Sequence, residues 1–291
     1  MTANELFTII AQVSGFLGIV GSMFAMGLGL TISQIIQPLK NARLVILALL
    51  ANFVLVPLLA YGITLVIPLE EPLKIGLIVL ATCAGAPFLI LEAKGAKANL
   101  GVAVGVMTLL MVVTIFYLPV VLPLLLTGVE VDAGAIAQSL IVLMLIPLIL
   151  GLLVKAHAPD TAKNWAPTMN KIGSLGIMIL LVVGLGLNLA NVISLIGTRG
   201  FLALLLFIFG SLLIGFAVGG RDPGVRNVMG LGTAQRNVSA AILITLQNFA
   251  GTIAVPYVLV AAILLPLILL SIARWLGRRS EAATAPVTQA E

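Results

Sequence analysis

Between Arg43 and Glu70 the chain runs through 26 residues without a charged side chain; between Lys97 and Glu130 the run is 32, between Lys171 and Arg199 it is 27, and between Arg236 and Arg274 it is 37. A helix needs roughly 20 apolar residues to cross the hydrocarbon of a bilayer. Runs of this length, repeated along 291 residues, are too much apolar surface for any water-soluble core to hide. Composition agrees. Of the residues 61% are hydrophobic and 9% are charged, against about 25% charged in a soluble domain. The solvent of this chain is therefore a lipid bilayer. The net charge of +5 does not point to nucleic acid, because the basic residues sit in short loops rather than along one polar face.

Walking from charge to charge gives nine spans, at about 7–36, 43–68, 73–93, 99–127, 135–154, 168–195, 199–220, 225–248 and 252–275. The expected fold is an all-α integral membrane protein, one polytopic domain over residues 1–279 with a disordered tail over 280–291. Glu5, with no basic residue ahead of the first apolar stretch, is unlike a cleavable signal peptide, so the first span is expected to be retained. The basic residues test the count. One face receives Lys40, Arg43, Lys94, Lys97, Lys155, Lys163, Lys171, Arg221, Arg226, Arg274, Arg278 and Arg279; the other receives Lys74 and Arg199, along with Glu70, Glu71, Glu130 and Asp132. The positive-inside rule then places the C-terminus in the cytoplasm and the N-terminus outside a cell inner (plasma) membrane.

The chain also reads as two related parts, about 7–127 and 135–276. Gly27-Leu28-Gly29-Leu30 recurs as Gly184-Leu185-Gly186-Leu187, Arg43 matches Arg199, Gly85 matches Gly232, and Pro119 matches Pro266. Spans 1–4 thus correspond to spans 6–9. Counterparts five spans apart cross in opposite directions, which is an inverted repeat of the kind many secondary transporters carry. Span 5 has no counterpart.

Spans 3 and 8 hold the candidate chemistry. Span 3 contains Ala81-Thr82-Cys83-Ala84-Gly85-Ala86-Pro87-Phe88, and span 8 contains Gly230-Leu231-Gly232-Thr233-Ala234-Gln235-Arg236-Asn237-Val238-Ser239. Proline removes a backbone donor, and glycine permits unwound dihedrals. Broken backbone at membrane depth survives only against protein or a wet cavity, and two facing breaks form a transporter-type site. The plainer reading is a proline kink and a polar helix contact. Arg236, a charge inside a span, is a functional candidate by default. Its guanidinium can grip a carboxylate through two hydrogen bonds, helped by backbone donors of a half-helix beginning near Asn237. The alternative is a structural cation paired with Glu92 or with C-terminal carbonyls of a half-helix. Substrate contact is accordingly expected from Arg236, Asn237, Gln235, Thr233, Gly85, Ala86, Pro87 and Asn188. Asn52, Thr108, Thr114, Asn188, Asn191, Gln247 and Asn248 are also read as hydrogen-bonding glue between helices, Cys83 as a small packing residue, the repeated glycines as close helix contacts, and His157 as a solvated loop residue.

Four elements resemble the bile acid:sodium symporter family: Met26-Gly27-Leu28-Gly29-Leu30, Asn52 five residues before Pro57, Gly85-Ala86-Pro87-Phe88, and Thr233-Ala234-Gln235-Arg236-Asn237. The resemblance extends from about residue 10 to 275. It implies a core domain with two broken, crossing helices (spans 2, 3, 4, 7, 8 and 9) and a flatter panel of spans 1, 5 and 6. It implies alternating access and sodium as the coupling ion. A residual sodium site would use Asn52, Gln235 and the carbonyls of Gly232 and Ala234. The carboxylate of the family's site falls at Leu231, and the stretch that serves a second sodium is here Pro87-Phe88-Leu89-Ile90, which has no side-chain oxygen. A guanidinium beside Gln235 could supply the charge that sodium supplies elsewhere, so weakened or absent sodium coupling is expected.

The leading function is secondary transport of a small organic anion, with the lipid bilayer as surroundings and no cofactor, nucleic acid or obligate protein partner. A proton-linked or uncoupled exporter or uniporter of the same fold is the alternative. An intramembrane enzyme is disfavoured because no span holds an acid–base pair, a metal cluster or a nucleophile–base arrangement. A channel is disfavoured for want of a pore-lining pattern, and no Walker motif suggests ATP hydrolysis.

Overall fold

The computed structural model describes residues 2–126 and 132–284. Glu130 and the 285–291 part of the expected tail lie outside the described residues. The described residues are helical, with no strand among them. Seven of the helices are long and apolar enough to cross a membrane.

Helix α1 (Ala3–Gly29) starts at a capping box formed by Thr2 and Glu5. It ends at Gly29, short of the expected 36. Thr31 is extended and caps a separate short helix, α2 (Ile32–Leu39), through Gln34. The second long segment is α3 (Ala42–Leu50), a π-helical turn (Ala51–Leu55) and α4 (Val56–Val66). Its cause is Pro57, which has no N–H to give to the preceding turn. The carbonyl of Phe53 instead accepts the Tyr117 hydroxyl at 2.8 Å. Asn52 rides on this π turn, a local widening often found at functional sites. The same device recurs in α8 (Ala133–Leu140), a π turn (Ile141–Leu145) and α9 (Ile146–His157), with Pro147 in Pro57's role.

Span 3 is divided into α5 (Glu71–Thr82) and α6 (Leu89–Gly95), and α7 (Leu100–Leu125) follows unbroken. Helix α10 (Pro159–Leu187) begins earlier than expected because Pro159 and Asp160 suit a first turn. It stops at Asn188, whose side chain turns back to the Gly184 carbonyl at 2.8 Å, before a short α11 (Leu189–Leu195). After α12 (Arg199–Val218), span 8 divides into α13 (Pro223–Ala234) and α14 (Val238–Asn248). The last helix, α15 (Ala254–Thr284), continues through Ser280–Thr284, where an irregular tail was expected. Glu281 and two alanines are good helix formers and prolong it. His157 closes α9 rather than lying in a loop; its Nδ1 sits 3.0 Å from the Leu153 carbonyl.

Two groups of helices can be distinguished, and they meet where α7 packs on α8 and α15 on α10. In the first, α1 and α10 run antiparallel: Gly15 meets Leu180, Gly18 meets Gly176 and Ile177, and Gly21 meets Gly173. A Cβ on Gly18 would come within 2.7 Å of the Ile177 backbone nitrogen, so small residues are what let these backbones approach. Gly27 lies against Leu148 and Gly151 of α9. Of the repeated glycines, Gly27 makes the expected backbone contact and Gly184 meets only the Leu259 side chain, while Gly29 and Gly186 face open space. The second group gathers α3–α4, α5, α6, α7, α12, α13, α14 and α15 around the two interruptions. The outside of the bundle carries exposed apolar side chains such as Leu58, Leu65, Val120, Leu124 and Leu213, as a lipid-facing surface requires.

Of the glycines matched in the expected repeat, Gly85 lies within the first break, whereas Gly232 lies inside α13.

Candidate functional site

The first break is a piece of backbone engineering. After Thr82 the chain unwinds through Cys83–Ala86, and Gly85 takes φ +77°. A Cβ there would strike the backbone of Met111 and lie 2.7 Å from the Leu110 carbonyl carbon on α7. Gly85 is thus required by both its dihedral and its surroundings. Unwinding frees polar groups that must be satisfied inside the bilayer. Thr114 of α7 satisfies two of them: its hydroxyl accepts from Ala84 N–H at 3.1 Å and donates to the Ala84 carbonyl at 3.0 Å.

The second break is shorter and polar. Helix α13 stops at Ala234; Gln235 is extended and donates its N–H to Leu231 O at 2.7 Å. Asn237 then caps α14 by accepting from Ala240 N–H at 3.2 Å. The two breaks meet directly, because Asn237 N–H donates to the Cys83 carbonyl at 2.9 Å.

Arg236 lies between them and is 0% exposed. Its Nη2 donates to Asn52 Oδ1 at 2.6 Å, its Nη1 to the Ala81 carbonyl at 3.2 Å, and its Nε to the Gln235 carbonyl at 3.4 Å. Asn52 is fixed in turn, its Nδ2 donating to Ala48 O at 3.0 Å and to Thr233 Oγ1 at 3.3 Å. No carboxylate pairs with this guanidinium among the described residues. The helix ends supply the compensation: each helix C-terminus is equivalent to roughly half a negative charge, and α5 and α13 both end here.

The structure therefore brings together Asn52, Thr233, Gln235, Arg236, Asn237 and the Gly85 break. Gly232 and Ala234 are buried in the last turn of α13, and Ala86 and Pro87 lead into α6. Asn188 bonds only within its own helix end. Of Arg236's structural alternatives, the half-helix carbonyl is realised and the Glu92 pairing is not. Two buried polar atoms at the second break have no protein partner, Gln235 Oε1 and Asn237 Nδ2. Buried groups of this kind are normally satisfied by something, so one acceptor and one donor stand ready for a ligand or water. Among the residues read as glue, Asn52 and Thr114 bridge elements, and Gln247 donates to Ser139 at 2.7 Å. Thr108 and Asn248 bond back into their own helices instead. That is the cheaper outlet when a carbonyl lies one turn away.

One buried group enters the sequence reading only as a possible partner of Arg236. Glu92 is 0% exposed and neither of its oxygens has a hydrogen-bond partner. In sequence it stands beside Lys94 at the end of span 3, and nothing there marks it as buried. The signal that could have found it is the stripe Leu89, Glu92, Ala93, Ala96, all buried at helical spacing, while Leu91 and Lys94 are exposed.

Comparison with known proteins adds a family and relatives. The pattern of the Sodium Bile acid symporter family matches residues 16–195, which takes in Asn52 and the first break. The uncharacterized sodium-dependent transporter YocS of Bacillus subtilis is 30% identical over 189 residues, 62% of this chain and 57% of that one. The probable sodium/metabolite cotransporter BASS2, chloroplastic, of Oryza sativa subsp. japonica is 29% identical over 166 residues, 56% of this chain and 39% of that one. The probable sodium/metabolite cotransporter BASS3, chloroplastic, of Arabidopsis thaliana is 23% identical over 246 residues, 81% of this chain and 56% of that one. The chain spans about half the length of the curated relatives it matches. All three are named as transporters, none as an enzyme.

Proposed function

The chain belongs to the sodium bile acid symporter family, and from that premise we propose that it is a secondary transporter that carries a small organic anion by alternating access, with the two breaks as its binding site. One observation carries the reading: the Asn237–Cys83 backbone bond fastens two mid-span interruptions together around a buried guanidinium. Unwound backbone and a desolvated cation are costly in a bilayer, and a binding site at the meeting of two half-helix pairs accounts for both. The anion meets the N-terminus of α14 and Asn237 Nδ2, with Arg236 behind them as a fixed positive field.

The architecture proposed is nine crossings, seven continuous helices and two broken ones, in an inverted repeat. The antiparallel packing of α1 against α10 supports this, since these two are repeat counterparts. The α1, α8–α9 and α10 group is the panel and the remainder is the core. Contacts at the two ends support the orientation. Asn99 N–H donates to Gly224 O at 3.3 Å and Gly277 packs on Gly95, which gathers the segments of Lys94, Lys97, Arg226 and Arg274 at one end. At the other end Tyr257 donates to Gly200 O at 3.0 Å and Leu73 packs on Gly200, beside Lys74 and Arg199. The first end is the cytoplasmic one in a plasma membrane.

Sodium fits the residues poorly. Asn52 Oδ1 already accepts from Arg236, Leu231 stands where a carboxylate would neutralise the ion, and Pro87–Ile90 offers no side-chain oxygen. The guanidinium fills the oxygen cluster that a sodium ion would need. Transport in this chain therefore proceeds with little or no sodium coupling. A thermal-shift screen of purified protein against short 2-oxo acids and bile acids, run in sodium and again in potassium, tests the reading. Saturable stabilisation by an organic anion, equal in both salts, is expected; no response to any organic anion would overturn it.

A further inference from the structure

Glu92 is the charge-bearing group that the site above does not use. It lies on α6, the half-helix that begins just after the first break. Leu89, one turn before it, reaches the last turn of α13, just ahead of the second break: a Cβ built on Gly232 would lie 2.8 Å from Leu89 Cδ2. Gly95, one turn after it, packs under Gly277 at the end that gathers the basic residues. Glu92 thus lies on the inward face of α6, between the binding site and one end of the bundle, sealed from solvent and with both carboxyl oxygens unpartnered.

The elements packed against α6 are α7, α13 and α15. Their titratable or charged residues are Tyr117 on α7, Arg226 on α13, and Tyr257, Arg274, Arg278, Arg279 and Glu281 on α15. Tyr117 is bonded to Phe53, Tyr257 to Gly200, Arg226 lies over the Phe216 ring and Arg279 over Trp275. Arg274 touches the Gly95 turn through its stem. Lys94, on α6 itself, is exposed. Neither Glu92 oxygen accepts a hydrogen bond from any of these arginines or tyrosines. A carboxylate buried without a protein donor is among the least tolerable groups in an apolar interior, and such a group neutralises by taking a proton.

We propose that Glu92 is a proton-binding site through which anion movement is coupled to a proton. This rests on the transport reading above. In the conformation described, the carboxyl holds its proton and is sealed. When α6 separates from α13 or α15 during alternating access, water reaches the group, its O–H bond breaks and the proton leaves into that water. The bond reforms with a proton from water on the other side. One proton moving with one monovalent anion leaves the cycle electrically neutral, while Arg236 stays fixed in the protein.

Two measurements on the full chain test this. The first is infrared spectroscopy of purified wild type and Glu92→Gln at neutral pH. A protonated-carboxyl stretch slow to exchange in deuterated water is expected in wild type and not in the variant; its absence from wild type overturns the proposal. The second is proteoliposome uptake of a radiolabelled 2-oxo acid and a radiolabelled bile acid under an imposed pH gradient. Wild type and Glu92→Asp should accumulate a probe several-fold beyond equilibrium. Glu92→Gln should exchange label as wild type does but show no accumulation. Gradient-driven accumulation by Glu92→Gln, or wild-type flux indifferent to the gradient, overturns the coupling. Should Glu92→Gln fail to insert, wild type and Glu92→Asp decide both measurements. No flux of either probe under any gradient would count against the transport reading, and the infrared band would still decide the proton site.

Discussion

The two breaks solve the same problem in different ways. The first satisfies its freed backbone from outside, with the Thr114 hydroxyl of α7 bonded to both polar atoms of Ala84, and it contributes carbonyls and the Cys83 thiol to the centre. The second satisfies itself through Asn237 as a cap, and it carries Gln235, Arg236 and Asn237 into the interior. One break is scaffold and the other is chemistry. The scaffold half is fixed by shape, so its residues should tolerate little change. The chemical half is fixed by hydrogen bonds, so its residues should trade stability against selectivity.

The largest effect expected is at Gly85. An alanine there takes a left-handed dihedral at about 1–2 kcal/mol and adds overpacking of about 1–3 kcal/mol against the α7 backbone. Gly85→Ala should lose most folded, monodisperse protein in detergent melting experiments. Gly232→Ala, which meets only the movable Leu89 side chain, should melt much closer to wild type. Equal losses at the two glycines would erase the distinction between the halves. Next comes Arg236→Ala, which strips donors from Asn52 Oδ1 and Ala81 O at about 1–3 kcal/mol for each buried acceptor left alone. It should lower the melting temperature and abolish anion-induced stabilisation. Arg236→Lys should recover part of the stability without the forked geometry. An Ala variant that binds anions as wild type does would make Arg236 a structural cation only. Thr114→Val should cost about 1–3 kcal/mol through the two orphaned groups of Ala84. Anion selectivity should stay unchanged, since Thr114 touches the scaffold alone; a change in selectivity measured by the same screen would blur the division. The smallest effect is Tyr117→Phe, about 1 kcal/mol for the bond to Phe53 O, read as a slight drop in melting temperature.

The sequence carries the membrane fold and the breaks because both are written locally. Long charge-free runs demand spans, and Gly85 with Pro87 and the polar run 233–237 interrupt them wherever the rest of the chain lies. What it hides depends on neighbours. The π turn at Asn52 follows from Pro57, yet the Phe53 carbonyl finds its donor 64 residues on, at Tyr117. Gly85 and Gly232 look alike in sequence, yet one serves a left-handed turn and the other close packing. The split of the first span at Thr31 was legible as a capping residue but was masked by apolar residues on both sides. Glu92 was legible as a candidate partner of Arg236, but its burial was not, because exposed Lys94 stands two residues on.

The central claim is that the breaks form an anion site whose resident cation is Arg236. Its most direct test is proteoliposome uptake of a responsive organic anion with sodium replaced by potassium on both sides and with an inward sodium gradient. Uptake that is the same in the two conditions is predicted. Uptake that requires the sodium gradient would contradict the account.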